Sequence, residues 1–573
     1  MRDQIVLTEQ CFLNICFIPL DATGTKFFGF SEFLAGLALM VLAWTIGDVR
    51  YRFRIQAAPI PLRGITFSVV TAVGILTLLT DLWRAEQWLV PKGNLLTPAS
   101  WQALLGGAFL LTFLVWAWFA FIRPPIFGKR NTERYAQSLY RFILKGSPAE
   151  LAVIADELVH SARPLIRFAF DKVEIQQQRM LNKEKWQGRD SKIGAYANDL
   201  LLLIADKRLC RAIVESSPGT ALAIFQEIGE TKKYGVQVEI FSKNIVNEAI
   251  VNRDSFLYHE TEEYDSGLIG HHKPLSQAMF SNYLMVEGIG TLLDPDFMGR
   301  SKWDAGQWEA YCRVLLMTFI DYSENHSHRH SSVLYRAMSY LEGAVSDLYT
   351  LNGVANVPWN NDALSRLRVI IDFICDAVGA LDKQGVPEYF VLRVRDDYGP
   401  MHQTSYDHLA DLIFEVIFSA SAVKTPKWDC WMIQHNSVWG RLFNDHRLSG
   451  AAGQIVKFKV RRLLYNEIVR MKKFPNFKGA KIIGFCLNVM GFSVGKGNWG
   501  RDSRPLQKVV LSWTKNNYVG LRDFNPAIAE ACLVETITYD SERCRLVRTS
   551  ALEGTRAEPW YEYLDLVSNS LNQ

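Results

Sequence analysis

The run Trp101–Ile122, WQALLGGAFLLTFLVWAWFAFI, carries no charged side chain. It is as long as the ~20 residues that an α-helix needs to cross ~30 Å of hydrocarbon. Arg123, Pro124 and Pro125 stop it, and Lys129, Arg130 and Arg134 follow. Two earlier runs share its texture, at 28–49 and 64–82. Their acids, Glu32, Asp48 and Asp81, sit at the ends, and neither run has the one-sided pattern of a surface helix. The expectation is a membrane-anchored, mainly α protein. Three N-terminal transmembrane helices at about 28–49, 64–82 and 101–122 precede a large helical cytoplasmic domain ending in a small mixed α/β unit. In domains this reads as an N-terminal arm (1–27), a three-helix anchor (28–123), a helical body (124–475) and the α/β unit (476–573).

Overall composition hides this split, because 49% hydrophobic and 21% charged residues describe an ordinary globular chain. The net charge of +4 is too small to name a partner, so local charge carries the argument. Between the first two apolar runs stand Arg50, Arg52, Arg54 and Arg63, against Arg84 and Lys92 between the next two. Cytoplasmic flanks retain positive residues, which places the N-terminus outside and the body inside. The expected location is a cell membrane, read as a bacterial inner membrane. The short apolar run 11–20 has no cleavage pattern of a signal peptide and reads as an interfacial, re-entrant or packed arm. The span interiors hold no acids, so they read as anchors rather than a transport path. Gly106-Gly107 suits close helix contact within or between protomers, which makes a homo-oligomer an expectation. The nine cysteines include no CxxC pair, and buried thiols account for them better than disulfides or zinc.

Beyond residue 132 helix-start signals recur: Ser147-Pro148 with Glu150, Ser217-Pro218 and Asn525-Pro526. Helical segments are expected over about 191–215, 218–232, 274–293, 304–325, 329–351, 361–382, 402–423 and 451–473. The short β-rich runs 481–494, 508–514 and 545–549 read as strands, and 559–571 as a closing helix.

Two residue sets invite chemistry. His271, His272, His326, His328 and His330 lie near acids and form the candidate divalent-metal ligands, on which a tethered hydrolase or nuclease would depend. Lys457, Lys459, Arg461, Arg462, Arg470, Lys472, Lys473, Lys496 and Arg501, with aromatics among them, form a candidate surface for an anionic partner, either lipid headgroups or nucleic acid. Gly491-Phe492-Ser493-Val494-Gly495-Lys496-Gly497 is one residue short of a phosphate loop and reads as a glycine-rich turn between strands. No nucleophile elbow and no dinucleotide fingerprint occurs. The leading expectation is therefore an interaction, scaffolding or signalling module on a membrane anchor, without evident catalysis and with membrane lipid and a protein partner. The metal-dependent enzyme and the nucleic-acid or lipid tether are the alternatives.

Overall fold

The N-terminal 241 residues are built on a helical hairpin and the strands that close one end of it. In the computed structural model the described residues are 10–12, 15–20, 26–45, 47–91, 97–172, 191–261, 273–325, 330–354, 356–358, 360–386, 403–494, 501–549 and 560–567. The chain is mostly helical, at 73% helix. It divides into two compact units, Met1–Phe241 and Ser242–Gln573.

In the first unit, strands β1 (Gln10–Phe12) and β2 (Ile15–Pro19) form an antiparallel pair. Helix α1 (Phe30–Thr45) follows, then α2 (Val49–Ala57) and α3 (Leu62–Ala85). Strand β3 (Leu89–Pro91) returns to pair antiparallel with β2, placing Ile18 opposite Val90. The arm before α1 therefore packs beside the connection between α3 and α4 (Pro98–Ala117). Helix α4 runs on into a π-helical turn, Trp118–Ile122.

Among the described residues two helices, Leu62–Ala85 and Pro98–Ile122, are long and apolar enough to cross a membrane. The expected span 28–49 is corrected: α1 stops at Thr45, and the Asp48 side chain accepts from the Arg50 amide to start α2. Sixteen residues at ~1.5 Å each come to only about 24 Å. The three apolar helices share a core of Phe33, Met40, Val70, Val73 and Leu105. Glycines let them close: a Cβ at Gly74 would lie 2.8 Å from the Phe33 ring, and one at Gly36 equally close to Phe109. Asp81, at the end of α3, accepts from the Phe30 amide and so caps α1. Gly106 faces Phe28, while Gly107 faces open space.

Helices α5 (Thr132–Lys145), α6 (Pro148–Phe168), α7 (Ser191–Leu203), α8 (Lys207–Ser216) and α9 (Pro218–Thr231) complete the unit. Helix α6 begins as its sequence demands: Ser147 and Glu150 exchange side-chain and backbone bonds, with Pro148 in the first turn. Helices α8 and α9 pack on α6, burying Leu151, Ile154, Ala155, Leu158, Ala162 and Leu165.

The second unit stacks helices in sequence: α10 (Pro274–Phe280), α11 (Tyr283–Ile289), α12 (Ala305–Asn325), α13 (Ser332–Ala344), α14 (Asp362–Gln384), α15 (Ser405–Ala420) and α16 (Ala451–Arg470). Two expected strands are corrected to helices, α17 (Phe477–Met490) and α18 (Arg504–Phe524). Helix α17 is buried nearly all round, so its apolar run has no amphipathic period to separate helix from strand. Helix α19 (Pro526–Ala531) is capped by Asn525, whose side chain accepts from the Ile528 amide. The expected strand at 545–549 is present as β5 (Arg545–Thr549), between β4 (Ile537–Asp540) and β6 (Tyr561–Asp565) in an antiparallel sheet. Strand β6 replaces the expected closing helix. Arg548 binds Glu562 across that sheet and fixes its register.

Gly491 ends helix α17 at φ +70°, where a Cβ would strike Glu562. The glycine-rich segment thus follows a helix, not a strand, and its residues 495–497 lie outside the described residues. Six described cysteines are buried thiols and Cys544 is half-buried; none of the seven forms a disulfide.

Candidate functional site

Of the five histidines, His271, His272, His326 and His328 lie outside the described residues. His330 is exposed, with its ring 6.1 Å from that of His408. Among the described residues no three His, Cys, Asp or Glu side chains converge as metal ligands.

The basic stretch is divided by burial. Helix α16 packs against α14, α15, α17 and α18, so its inward arc is wider than one apolar stripe. Val456, Val460, Leu464, Ile468 and Met471 are buried, and Lys457 and Lys459 go in with them at 7% and 3% exposure. Their expected place on a solvent-facing cationic surface is corrected. Arg461 is half-buried, Arg462, Arg470, Lys472 and Lys473 stay exposed, and Lys496 and the Arg501 side chain lie outside the described residues. The exposed remainder carries Phe474 and Phe477, also exposed, with Arg470 over the Phe474 ring at 5.9 Å.

What Lys459 meets inside is a row of acids that sequence reasoning passed over. Asp407, Asp411 and Glu415 recur every fourth residue along α15, so they lie on one face of it. Asp407 first serves the helix start, where its carboxylate accepts from the Thr404 amide at 2.9 Å and the Thr404 hydroxyl at 2.6 Å. It also pairs with Lys459. Glu415 pairs with Lys478 at 2.6 Å, and that ammonium lies 4.9 Å from each of the Phe414 and Phe418 rings. Glu342 comes from α13, which packs on α15.

The electrostatics follow from this uneven pairing. Burial works to raise Asp407, but the Lys459 and Thr404 bonds outweigh it and hold it below the ordinary aspartate value. Asp411 is pushed up to about 6 by burial, then by the neighbouring Asp407 and Glu415. Glu342 is pushed up to about 7 by burial, then by Glu415 and Asp411. Behind them His408 is pushed down to about 4 by burial and by His330, against Asp407. Its Nδ1 is buried without a hydrogen-bond partner among the described residues. Carboxyl groups raised toward neutrality by burial and by one another's charge are the kind that proton-handling sites use. The same arrangement also serves as an internal charge lattice joining α13, α15, α16 and α17.

The one sequence signal for this row was the four-residue acid spacing within an otherwise apolar helix. Its cationic partners stand about 50 and 60 residues further along the chain, where no local pattern points to them. No protein-family model, curated protein or solved structure matches the chain.

Proposed function

We propose that this chain is an integral membrane protein whose helical body serves as an interaction or scaffolding module. The supporting observation is the exposure of apolar surface on α3 and α4. Only 22% and 17% of their most apolar windows are buried within the structure, whereas a core helix of a soluble protein hides most of such a face. Leu76, Leu78, Leu79, Leu110, Leu111 and Leu114 are among the large side chains left uncovered. A patch of this extent calls for hydrocarbon or a partner. The pairing of β2 with β3 supports α1 as a third, short crossing. It puts the start of α1 at the level of the α3–α4 connection, so α1 runs alongside α3 from one level to the other. Asp48, Arg50, Arg52 and Arg54 then fall on the side of α5 and α6, where cytoplasmic positives are expected.

Alkaline carbonate washing of membranes tests the anchor: the full chain stays in the pellet, and its recovery in the supernatant without detergent overturns the reading. An impermeant maleimide on intact cells tests orientation. It labels Glu86→Cys, and it labels Lys472→Cys only after lysis; the reverse pattern inverts the topology.

A second reading draws on the exposed Arg462, Arg470, Lys472 and Lys473 beside Phe474 and Phe477. This is a smaller cationic and aromatic surface than the sequence suggested, open to an anionic macromolecule. RNA or DNA binding with a steep salt dependence supports it, and salt-insensitive or absent binding removes it.

A further inference from the structure

At the end of α4 the chain leaves its long apolar helix at Ile122 and reaches a basic pocket within seven residues. This pocket, of about 490 Å³, is lined by Lys129, Arg130, Arg134 and Lys192, with Glu133 as the one acid among its lining residues. We propose that it binds the phosphate-bearing headgroup of an anionic membrane lipid. The proposal rests on the membrane reading above and names the lipid class that such a protein would hold.

Three observations carry it. The first is level. Asn131 donates to the Ala57 carbonyl at 2.8 Å, and Arg134 donates to the Pro59 carbonyl, so the pocket is tied to the corner that precedes α3 at Leu62. It therefore lies where α3 begins and α4 has just ended, at the depth of headgroups if those helices cross a bilayer. Ile122 and Ile126, which precede it in the chain, are exposed.

The second is unspent donor capacity. Arg134 uses its Nη2 on the Pro59 and Arg130 carbonyls, yet its buried Nε has no acceptor among the described residues. Asn131, at the start of α5, accepts from the Gly128 amide through its Oδ1 and makes no side-chain cap. Thr132, Glu133 and Arg134, the first turn of this fourteen-residue helix, line the pocket beside Lys129 and Arg130, and a helix start favours an anion. The third is charge. Glu133 accepts from Gln137 at 3.4 Å and lies 3.9 Å from Lys192, with the Glu133 and Lys192 side chains largely exposed, so the lining sets one acid against four cations. Its volume falls within the ~300–1,000 Å³ of small-ligand sites. Basic pockets on the cytoplasmic side of membrane helices suit phosphorylated headgroups.

The test uses the purified full-length chain in neutral detergent. It is mixed with vesicles of phosphatidylcholine alone or with phosphatidylglycerol added, and separately with inorganic phosphate and glycerol phosphate. The expected result is association that requires phosphatidylglycerol and is about 10- to 30-fold weaker in the double variant Arg130→Gln/Lys192→Gln. Both residues are exposed, and unchanged thermal unfolding of the variant shows that the fold is intact. If the variant disturbs folding, Arg130→Lys is the second probe and should retain most of the binding. Equal phosphatidylglycerol binding by wild type and the folded double variant overturns the pocket while leaving the membrane reading in place. Full occupancy by inorganic phosphate with no preference for phosphatidylglycerol assigns the site to a free anion and overturns the lipid. Carbonate extraction of the same proteins separates these results from failure of the anchor itself.

Discussion

Arg54 and Glu157 form a two-bonded fork in the interior of the N-terminal unit. Arg54 Nε donates to Oε2 of Glu157 at 2.9 Å and Nη2 to Oε1 at 2.7 Å. The residues are 8% and 2% exposed. The remaining Nη1 of Arg54 reaches the Ala120 and Phe121 carbonyls in the π-helical end of α4. One guanidinium thus joins the α2 corner, the end of the second long apolar helix and the body helix α6. Arginines that look in sequence like a topology signal are here partly structural, since Arg50 also pairs with Asp156 at 2.8 Å.

Removing one member of that fork leaves the other buried without its main partner: Glu157 keeps only the longer contact to Arg50 at 3.6 Å, and Arg54 keeps only backbone carbonyls. Arg54→Ala and Glu157→Ala are each expected to cost about 3–5 kcal/mol, and their double variant less than the sum of the two. Arg54→Lys should not rescue, because an ammonium cannot reproduce the planar two-bond geometry. Thermal unfolding in detergent checks all four. A double variant as destabilised as the sum would show that the two residues act independently.

The acids on α13 and α15 make the stability of the C-terminal unit depend on pH. Glu342 rises from 4.5 to about 7 and Asp411 from 3.8 to about 6. The native state therefore holds protons that the unfolded chain releases. Their stabilising contribution is complete below about pH 4 and is lost as pH rises through 6 and 7. His408, lowered from 6.5 to about 4, acts in the opposite sense: its contribution is full above 6.5 and lost as pH falls toward 4. The variants Glu342→Gln and Asp411→Asn remove the first effect. Each should raise stability at pH 8 by about 1–3 kcal/mol and change little near pH 4. Unfolding midpoints across this range read the difference, and a gain of equal size at both ends would refute the assignment.

Much of this fold was legible wherever local signals agreed. The Ser147-Pro148-Glu150 start, the Asn525 cap and the expected helices at 304–325, 361–382 and 451–473 fall within a few residues of α12, α14 and α16. Errors arose where burial was complete or where the decisive partner was distant. KIIGFCLNVMGFSV looks like a strand because its side chains are apolar on every face. Around KVVLSWT the window was too short to show that Leu506, Val510, Trp513 and Leu521 share one buried side. Ser217 resembles Ser147 in sequence, yet its hydroxyl contacts Thr220 and makes no cap. The acid row on α15 was visible as spacing, but its meaning depends on Lys459 and Lys478, which only the tertiary fold brings near.

Lys457 and Lys459 stand two residues apart on α16 and should respond oppositely to the same change. Lys459 neutralises Asp407, so Lys459→Met strands a carboxylate and should cost about 3–5 kcal/mol. Lys457 is nearly as buried but makes no ion pair among the described residues. Burial, then the neighbouring Arg461, lowers its pKa. Lys457→Met keeps the packing stem and deletes the desolvated charge, so stability should be unchanged or rise by about 1–2 kcal/mol. Denaturant or thermal midpoints of the two variants, measured side by side, check this. Asp502, Asp382 and Asp445 oppose that shift from beyond ion-pair distance, and equal losses would show that they hold Lys457 as firmly as Asp407 holds Lys459.

The apolar helices give a prediction of similar contrast. At Gly74 of α3 a Cβ would lie 2.8 Å from two Phe33 ring carbons, and the buried aromatic has little room to retreat. Gly107 of α4 has nothing within 4 Å. Gly74→Val should overpack the α1–α3 contact and cost about 1–3 kcal/mol, visible as a lower unfolding midpoint in detergent. Phe33→Leu, which removes the clashing ring edge, should restore part of that loss when combined with it. Gly107→Val should leave the isolated protomer's stability unchanged. If Gly107→Val instead lowers stability or shifts the oligomeric state in crosslinking, the open face of α4 is covered by a second copy of the chain, because small residues at such a position allow close helix approach.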